Sequence, residues 1–252
     1  MSKIPVALQL YTVRDQLATD FCGVVKKVAQ MGYAGVEFAG TGDLSATEMN
    51  DLLGETGLKP VGSHIGLNLF QDQLDEQIAY YKAIGCKYLG IPALPHDYRT
   101  TKGFYEIASF MNKVGATLKD EGMTLYYHNH NFEFECVDDV TGMEILLGET
   151  DSELVKFEVD VYWVTYAGLD PATFINENAG RLPLIHLKDM IGEGDERTFA
   201  EVGEGTIDFE PIFVASEAQG AICYIVEQDR CQRPSLESAQ MSADNLKKWG
   251  KA

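Results

Sequence analysis

The stretch Leu125-Tyr-Tyr-His-Asn-His-Asn-Phe-Glu-Phe-Glu135 decides how this chain is read. An apolar, aromatic run opens onto two imidazoles and then carboxylates, which is the pattern of a buried strand whose exit carries chemistry. The pattern recurs downstream. Val155-Lys-Phe-Glu-Val-Asp160, Leu182-Pro-Leu-Ile-His-Leu-Lys-Asp189 and Ile222-Cys-Tyr-Ile-Val-Glu-Gln-Asp229 are short runs of branched and aromatic residues that end in groups able to bind a metal or carry a proton. Four strand ends meeting at one site are therefore expected.

Working outward, Val6 to Val13 reads as a first strand, Gly35-Val-Glu37-Phe-Ala39 as a second, Lys59 to His64 as a third and Tyr88 to Pro92 as a fourth. Between them the apolar spacing is helical: Asp20 to Met31 stopping at Gly32, a helix capped by Ser45, and Gln71 to Ile84. Later helices are expected over Lys102 to Glu121, after a Thr141 cap, after Asp170 with Pro171 in the first turn, and over Phe209 to Gln219. Gly192 to Gly205 reads as a polar loop.

Eight strand candidates, each followed by a helix candidate and without a composition break, predict an α/β chain forming one (β/α)8 TIM barrel over residues 1–252. A doubly wound open sheet is disfavoured, because Gln9-Leu-Tyr-Thr-Val-Arg14 carries no glycine-rich fingerprint after the first strand.

Composition bounds the function. With 45% hydrophobic residues the chain can build a large core, whereas a formal net charge of −19 disfavours nucleic acid and anionic membranes, which need a cationic footprint. No apolar run is long enough for a membrane span, and Met-Ser-Lys-Ile-Pro-Val lacks the apolar core of an export signal, so a cytoplasmic location is expected. Five scattered cysteines without C-x-x-C spacing argue for reduced thiols. A small polar molecule is the expected partner, and a homo-oligomer is compatible with the sequence.

Glu37, His64, His128, Asp160, His186 and Glu227 all fall at predicted strand ends. Such a mixture of imidazole and carboxylate suits one divalent cation, Mn, Mg, Co or Zn, acting as a Lewis acid on a carbonyl and hydroxyl. Asp160, His186 and Glu227 are the expected ligands, with Glu133 or else His128 as the fourth. Removing a proton beside a carbonyl gives an enediolate, which the metal and Lys188 would stabilise. Glu227 and Glu133 are the base candidates, with His128, His130 and Glu37 behind them. Trp163, three residues after Asp160, offers an aromatic wall for a sugar ring.

Taken together, Gln9-Leu-Tyr-Thr-Val-Arg14, Gly35-Val-Glu37, Tyr127-His-Asn-His130 with Phe132-Glu-Phe134, Val159-Asp-Val-Tyr-Trp163, His186-Leu-Lys-Asp189, Val202-Gly-Glu-Gly-Thr-Ile-Asp-Phe209 and Val226-Glu227 resemble the sugar phosphate isomerase/epimerase family of xylose isomerase-like barrels. The resemblance implies one divalent metal held by Glu, Asp, His and Glu from strands five to eight, with Gln9, Tyr11, Glu37, His64, His130 and Trp163 facing a carbohydrate. Asp160, His186 and Glu227 fall on the last three ligands. On strand five His128-Asn129 stands where many relatives have Glu-Asn, and this Tyr-His-Asn-His signature resembles enzymes of keto-sugars and 3-keto-glycosides.

The leading expectation is thus a sugar or keto-sugar isomerase or epimerase. Its alternative is a lyase or dehydratase acting on a keto-sugar, keto-inositol or 3-keto-glycoside, with His64 or His130 as the acid over the leaving group. A DNA-repair endonuclease on the same barrel is opposed by the acidity, and a sugar-binding barrel without turnover by the full ligand set.

Overall fold

The computed structural model describes residues 3–252; Met1 and Ser2, part of the segment read above for an export signal, lie outside them. Eight parallel strands close into a barrel: β1 (Val6–Gln9), β2 (Gly35–Phe38), β3 (Lys59–His64), β4 (Tyr88–Ile91), β5 (Thr124–His128), β6 (Val155–Asp160), β7 (Leu184–Leu187) and β8 (Cys223–Val226). Closure is direct, because β1 pairs in parallel with both β2 and β8. The strands that carry the recurring polar ends, β5 to β8, are consecutive in the wall.

Local chemistry explains the punctuation. Ser45 with Glu48 and Thr141 with Glu144 form capping boxes, and Asp170 caps a helix that has Pro171 in its first turn. Gly32 and Gly57 end their helices in the left-handed conformation that only glycine adopts without cost.

Most of the apolar core lies between the barrel wall and the helices. Inside the barrel the apolar floor is small: Ala7, Tyr126, Leu184, Cys223 and Ile225, joined by Val61 and Tyr88. Above that floor the barrel interior carries buried polar and charged side chains, among them Gln9, Glu37, His128, Glu158, Asp160 and His186. The β2–β3 ladder is irregular, since Val36 pairs with Pro60 but Glu37 pairs with Gly62, leaving Val61 as an extra residue.

Several expected boundaries move, each for a local reason. β1 ends at Gln9 rather than Val13, because the Gln9 side chain accepts the Tyr11 N–H at 3.0 Å and starts a 3-10 turn, Leu10–Val13. The helix expected over Gln71 to Ile84 is two helices, Leu67–Asp72 and Leu74–Ala83, broken at Gln73. The polar loop after β7 is partly a hairpin, Asp189–Ile191 against Thr198–Ala200. A short helix, Val161–Tyr166, follows β6 directly, capped by the Asp160 carboxylate, which accepts the Tyr162 and Trp163 N–H groups at 2.9 and 3.3 Å.

Among the described residues no helix is long and apolar enough to cross a membrane.

Candidate active site

The site stands on the carboxyl ends of the strands. Along β6, Glu158 and Asp160 share one face by the two-residue period and both turn inward, and along β5 Tyr126 and His128 do the same. His186 ends the inward row of β7, Lys188 follows it, and Glu227 leaves β8. Glu37, Glu158, Asp160, His186 and Lys188 are completely buried. Groups so placed must satisfy one another, because an unpaired buried charge costs several kcal/mol, on the order of 3–5.

They do so in two tiers. In the deeper tier Glu158 Oε2 lies 2.7 Å from His64 Nε2, 3.1 Å from His186 Nε2 and 3.2 Å from His128 Nδ1. Beside it, Glu37 Oε2 accepts from Gln9 at 2.7 Å and faces His186 Nε2 at 2.8 Å, while Glu37 Oε1 takes the Tyr126 hydroxyl. In the upper tier Asp160 Oδ2 lies 3.7 Å from His128 Nε2 and 3.9 Å from His186 Nδ1, and Glu227 Oε2 lies 3.1 Å from His186 Nδ1. The Lys188 ammonium touches Asp160 and Glu227 at 2.8 Å each and Asp229 at 2.7 Å.

Burial and charge set the protonation states. Burial raises Glu37, and the neighbouring Glu158 charge adds to it. Burial also presses on Glu158, but the His186 charge and the imidazole hydrogen bonds overcome it and hold this carboxyl well below the usual range. His186 and His64 are pushed down by burial yet end above the usual histidine value, through Glu158 for the first and Glu37 with Glu158 for the second. For His128 burial wins and the imidazole falls to about 3. His130 is likewise depressed, by burial and then by His128. Burial lifts Asp160 to about 6; it also presses on Glu227, but Lys188 and the His186 hydrogen bond and charge together overcome it and hold this carboxyl well below the usual range.

Above the tiers opens a cavity of about 400 Å³ lined by Tyr11, Ala39, His64, Pro92, Ala93, His128, His130, Glu227 and Asp229. That volume suits a small ligand. A depression of about 650 Å³ on the opposite face, near Pro5, Ile222 and Trp249, holds none of these groups.

The donors form two compact sets: His128, Asp160, His186 and Glu227 above, and His64, His128, Glu158 and His186 below. Two imidazole nitrogens and two carboxylate oxygens in the upper set fit the mixed donor preference of a first-row divalent cation.

The family model for the xylose isomerase-like TIM barrel matches residues 25–249. The chain belongs to that family. An inosose dehydratase of Clostridium beijerinckii is 29% identical over 160 residues, 56% of this chain and 53% of that protein, so the match spans about half the length of that relative. An inosose dehydratase of Geobacillus kaustophilus is 24% identical over 265 residues, 88% of this chain and 85% of that protein. Among solved structures, a sugar phosphate isomerase/epimerase of Parabacteroides distasonis superposes with a TM-score of 0.82 at 24% identity, covering 97% of this chain and 98% of that one.

In this xylose isomerase-like barrel the expected site residues fall into distinct places. Asp160, His186, Glu227 and His128 come together as donors, and Lys188 is beside them. Glu133, expected as fourth ligand and base candidate, joins neither donor set. The chain turns into a 3-10 helix at Phe132–Phe134, and the Glu133 carboxylate folds back to accept the Tyr127 hydroxyl at 2.6 Å and the His130 N–H at 2.8 Å. Gln9, expected to face substrate, is buried and spends its amide on Glu37. Tyr11, His64 and His130 line the cavity, and Glu37 lies in the floor beneath it. The Trp163 ring lies tilted against that of His130, centroids 5.3 Å apart and planes at 37°.

Three residues went unnoticed in the sequence. Glu158 was legible from its two-residue spacing to Asp160. Asp229 lay in the quoted β8 stretch, and only the fold shows that it holds Lys188. Tyr126 looks like any core aromatic until its hydroxyl is seen on Glu37.

Proposed function

We propose that this chain is a divalent metal-dependent enzyme that removes a proton beside the carbonyl of a small polyhydroxylated ketone, a keto-sugar or keto-inositol, and then expels the β-hydroxyl. The observation that carries the reading is the make-up of the cavity wall. Glu227 is the carboxylate that meets both the upper donor set and the cavity, and Glu133 on the strand-five side is committed to Tyr127 and His130. Inverting a carbon through an enediolate calls for a second acid-base group on the opposite face of the substrate, whereas elimination calls for one base and an acid over the leaving group. The inosose dehydratase relatives support the same choice.

In this reading His128, Asp160, His186 and Glu227 hold the cation, which supplies Lewis acidity at the substrate carbonyl. Glu227 accepts the proton. The Lys188 ammonium, 2.8 Å from Glu227, balances charge as the enediolate forms. His130 lines the cavity, and its Nδ1 is buried without a hydrogen-bond partner among the described residues; burial keeps this imidazole neutral, so it is placed to hydrogen-bond the departing hydroxyl, which leaves as water with the proton Glu227 took up. Trp163 Nε1, also buried and unpaired among them, is free to donate to a substrate oxygen.

The second reading, isomerisation or epimerisation of a sugar or keto-sugar, is favoured by the fold shared with the Parabacteroides distasonis isomerase/epimerase. Incubation with keto-inositols and keto-sugars in deuterated water, followed by mass spectrometry, separates the two. Loss of water from the product supports elimination. An unchanged skeleton that gains deuterium supports isomerisation and overturns elimination, and an absence of both across a metal-loaded panel refutes the enzyme reading for these substrates.

A further inference from the structure

Two members of the lower donor set, His64 and Glu158, have no part in the chemistry just described, and the geometry of the set is lopsided for a hydrogen-bond network. Three imidazole nitrogens, from His64, His128 and His186, converge on Glu158 Oε2 within 2.7–3.2 Å. Its twin, Glu158 Oε1, is buried and finds no hydrogen-bond partner among the described residues. A carboxylate spreads its acceptor sites over both oxygens, so three donors crowded on one while the other goes begging is poor use of that capacity. The donor atoms of all four residues lie within 4.8 Å of one another, close enough for a single four-coordinate cation to take three nitrogens and one oxygen. The upper set, by contrast, already has a protein cation in it, because the Lys188 ammonium sits between Asp160 and Glu227.

We propose that His64, His128, Glu158 and His186 form a second divalent-cation site, below the upper one, that takes a nitrogen-preferring ion such as Zn2+ or Co2+ and is the tighter of the two in the substrate-free protein. The inference rests on the reading that this centre is metal-dependent. Each shared imidazole turns one nitrogen to each set: His186 presents Nε2 to Glu158 and Nδ1 to Glu227, and His128 presents Nδ1 to Glu158 and Nε2 towards Asp160. A neutral imidazole has a single free lone pair, its other nitrogen keeping a proton. The two sites therefore fill in alternation, one ion per chain. Glu37, which faces both His186 and His64, closes the floor of the lower site.

His64 and Glu158 belong to the lower set alone, and Asp160 and Glu227 to the upper set alone. Isothermal titration of the metal-stripped protein with Zn2+ should give one ion per chain. His64→Ala and Glu158→Gln should weaken binding by at least the roughly 10–100-fold that even loss of an outer-shell partner costs, while Asp160→Asn and Glu227→Gln change it far less. Anomalous diffraction from Zn2+-soaked wild-type crystals reads the same question without any variant that has to fold, and the peak should lie among His64, His128, Glu158 and His186. A peak between Asp160 and Glu227, two ions per chain, or the reverse order of variants overturns the inference and leaves the metal-dependent function standing. Failure of the wild type to bind Zn2+, Co2+ or Mn2+ at all overturns both.

Discussion

Replacing Asp189 by Asn would test how the loop over β7 is held. Asp189 follows Lys188, is buried, and accepts four backbone N–H groups: Met190 at 2.7 Å and Ile207 at 3.1 Å on Oδ1, Gly203 at 2.9 Å and Gly205 at 3.0 Å on Oδ2. Asn has almost the same shape but offers one oxygen and one NH2, so in either orientation two N–H donors lose their acceptor and meet another donor. Hydrogen bonds to a charged group are worth about 1.5–3 kcal/mol each, so two amount to about 3–6 kcal/mol. Part of this is returned, because burial already holds the Asp189 carboxyl above its usual range and the neutral amide escapes that penalty. A net loss of about 2–4 kcal/mol is expected. Urea unfolding followed by tryptophan fluorescence measures it, and amide exchange locates it, since protection of Gly203, Gly205 and Ile207 should fall first. A variant within about 0.5 kcal/mol of wild type with unchanged exchange at those amides would refute the account.

Three further outcomes follow from other parts of the barrel. Burial raises Glu133 to about 7 from 4.5, so the folded state holds its proton over a range where the unfolded chain has lost it. Its contribution is full below about pH 4.5 and is lost as pH rises through about 7, a decline on the order of 3 kcal/mol that Glu133→Gln should remove; parallel stability profiles for the two proteins would contradict it. At Gly90 a Cβ would lie 2.2 Å from the Tyr126 ring, so Gly90→Ala should cost about 1–3 kcal/mol by overpacking and displace the hydroxyl that holds Glu37, and an unchanged melting temperature would argue otherwise. Lys188→Met leaves Asp160, Glu227 and Asp229 without their shared cation and should destabilise the metal-free protein by about 3–5 kcal/mol, with a smaller deficit once divalent metal is added; equal deficits with and without metal would count against the charge argument.

The sequence exposed the barrel because its signal is periodic and repeated. β5, β6, β7 and β8 each announce themselves as apolar runs with polar exits, and the closed order of strands is their direct expression. The upper donors were legible for the same reason, since Asp160, His186 and Glu227 stand at those exits. Glu133 misled because its position depends on a three-residue 3-10 turn, Phe132–Phe134, whose direction no hydrophobic period encodes. Glu158 was passed over because it sits inside an apolar strand, where a carboxylate is tolerable only if partners arrive from β3, β5 and β7, and those partners are a property of the closed barrel. The hairpin over Asp189–Ile191 and Thr198–Ala200 was hidden by glycine and charge, which read as loop.

The extra residue in β3 has a consequence for the site that is best put as a matter of phase. In a regular strand alternate residues face the same side, so Val61, which packs on the barrel floor, would share its inward face with Ser63, and His64 would point to the helices. Because Val61 is out of step with β2, the count restarts: Gly62 faces Glu37 and Tyr126, Ser63 turns outward to the Tyr81 hydroxyl at 2.7 Å, and His64 turns in towards Glu158. The third imidazole of the lower cluster thus depends on a counting irregularity three residues upstream, made by a side chain that is neither a donor nor a proton carrier. Were Val61 paired in step with Glu37 instead of being looped past it, the same strand would direct Ser63 at the centre and His64 at the helices, so the way one silent residue is accommodated governs how many nitrogens the interior can offer.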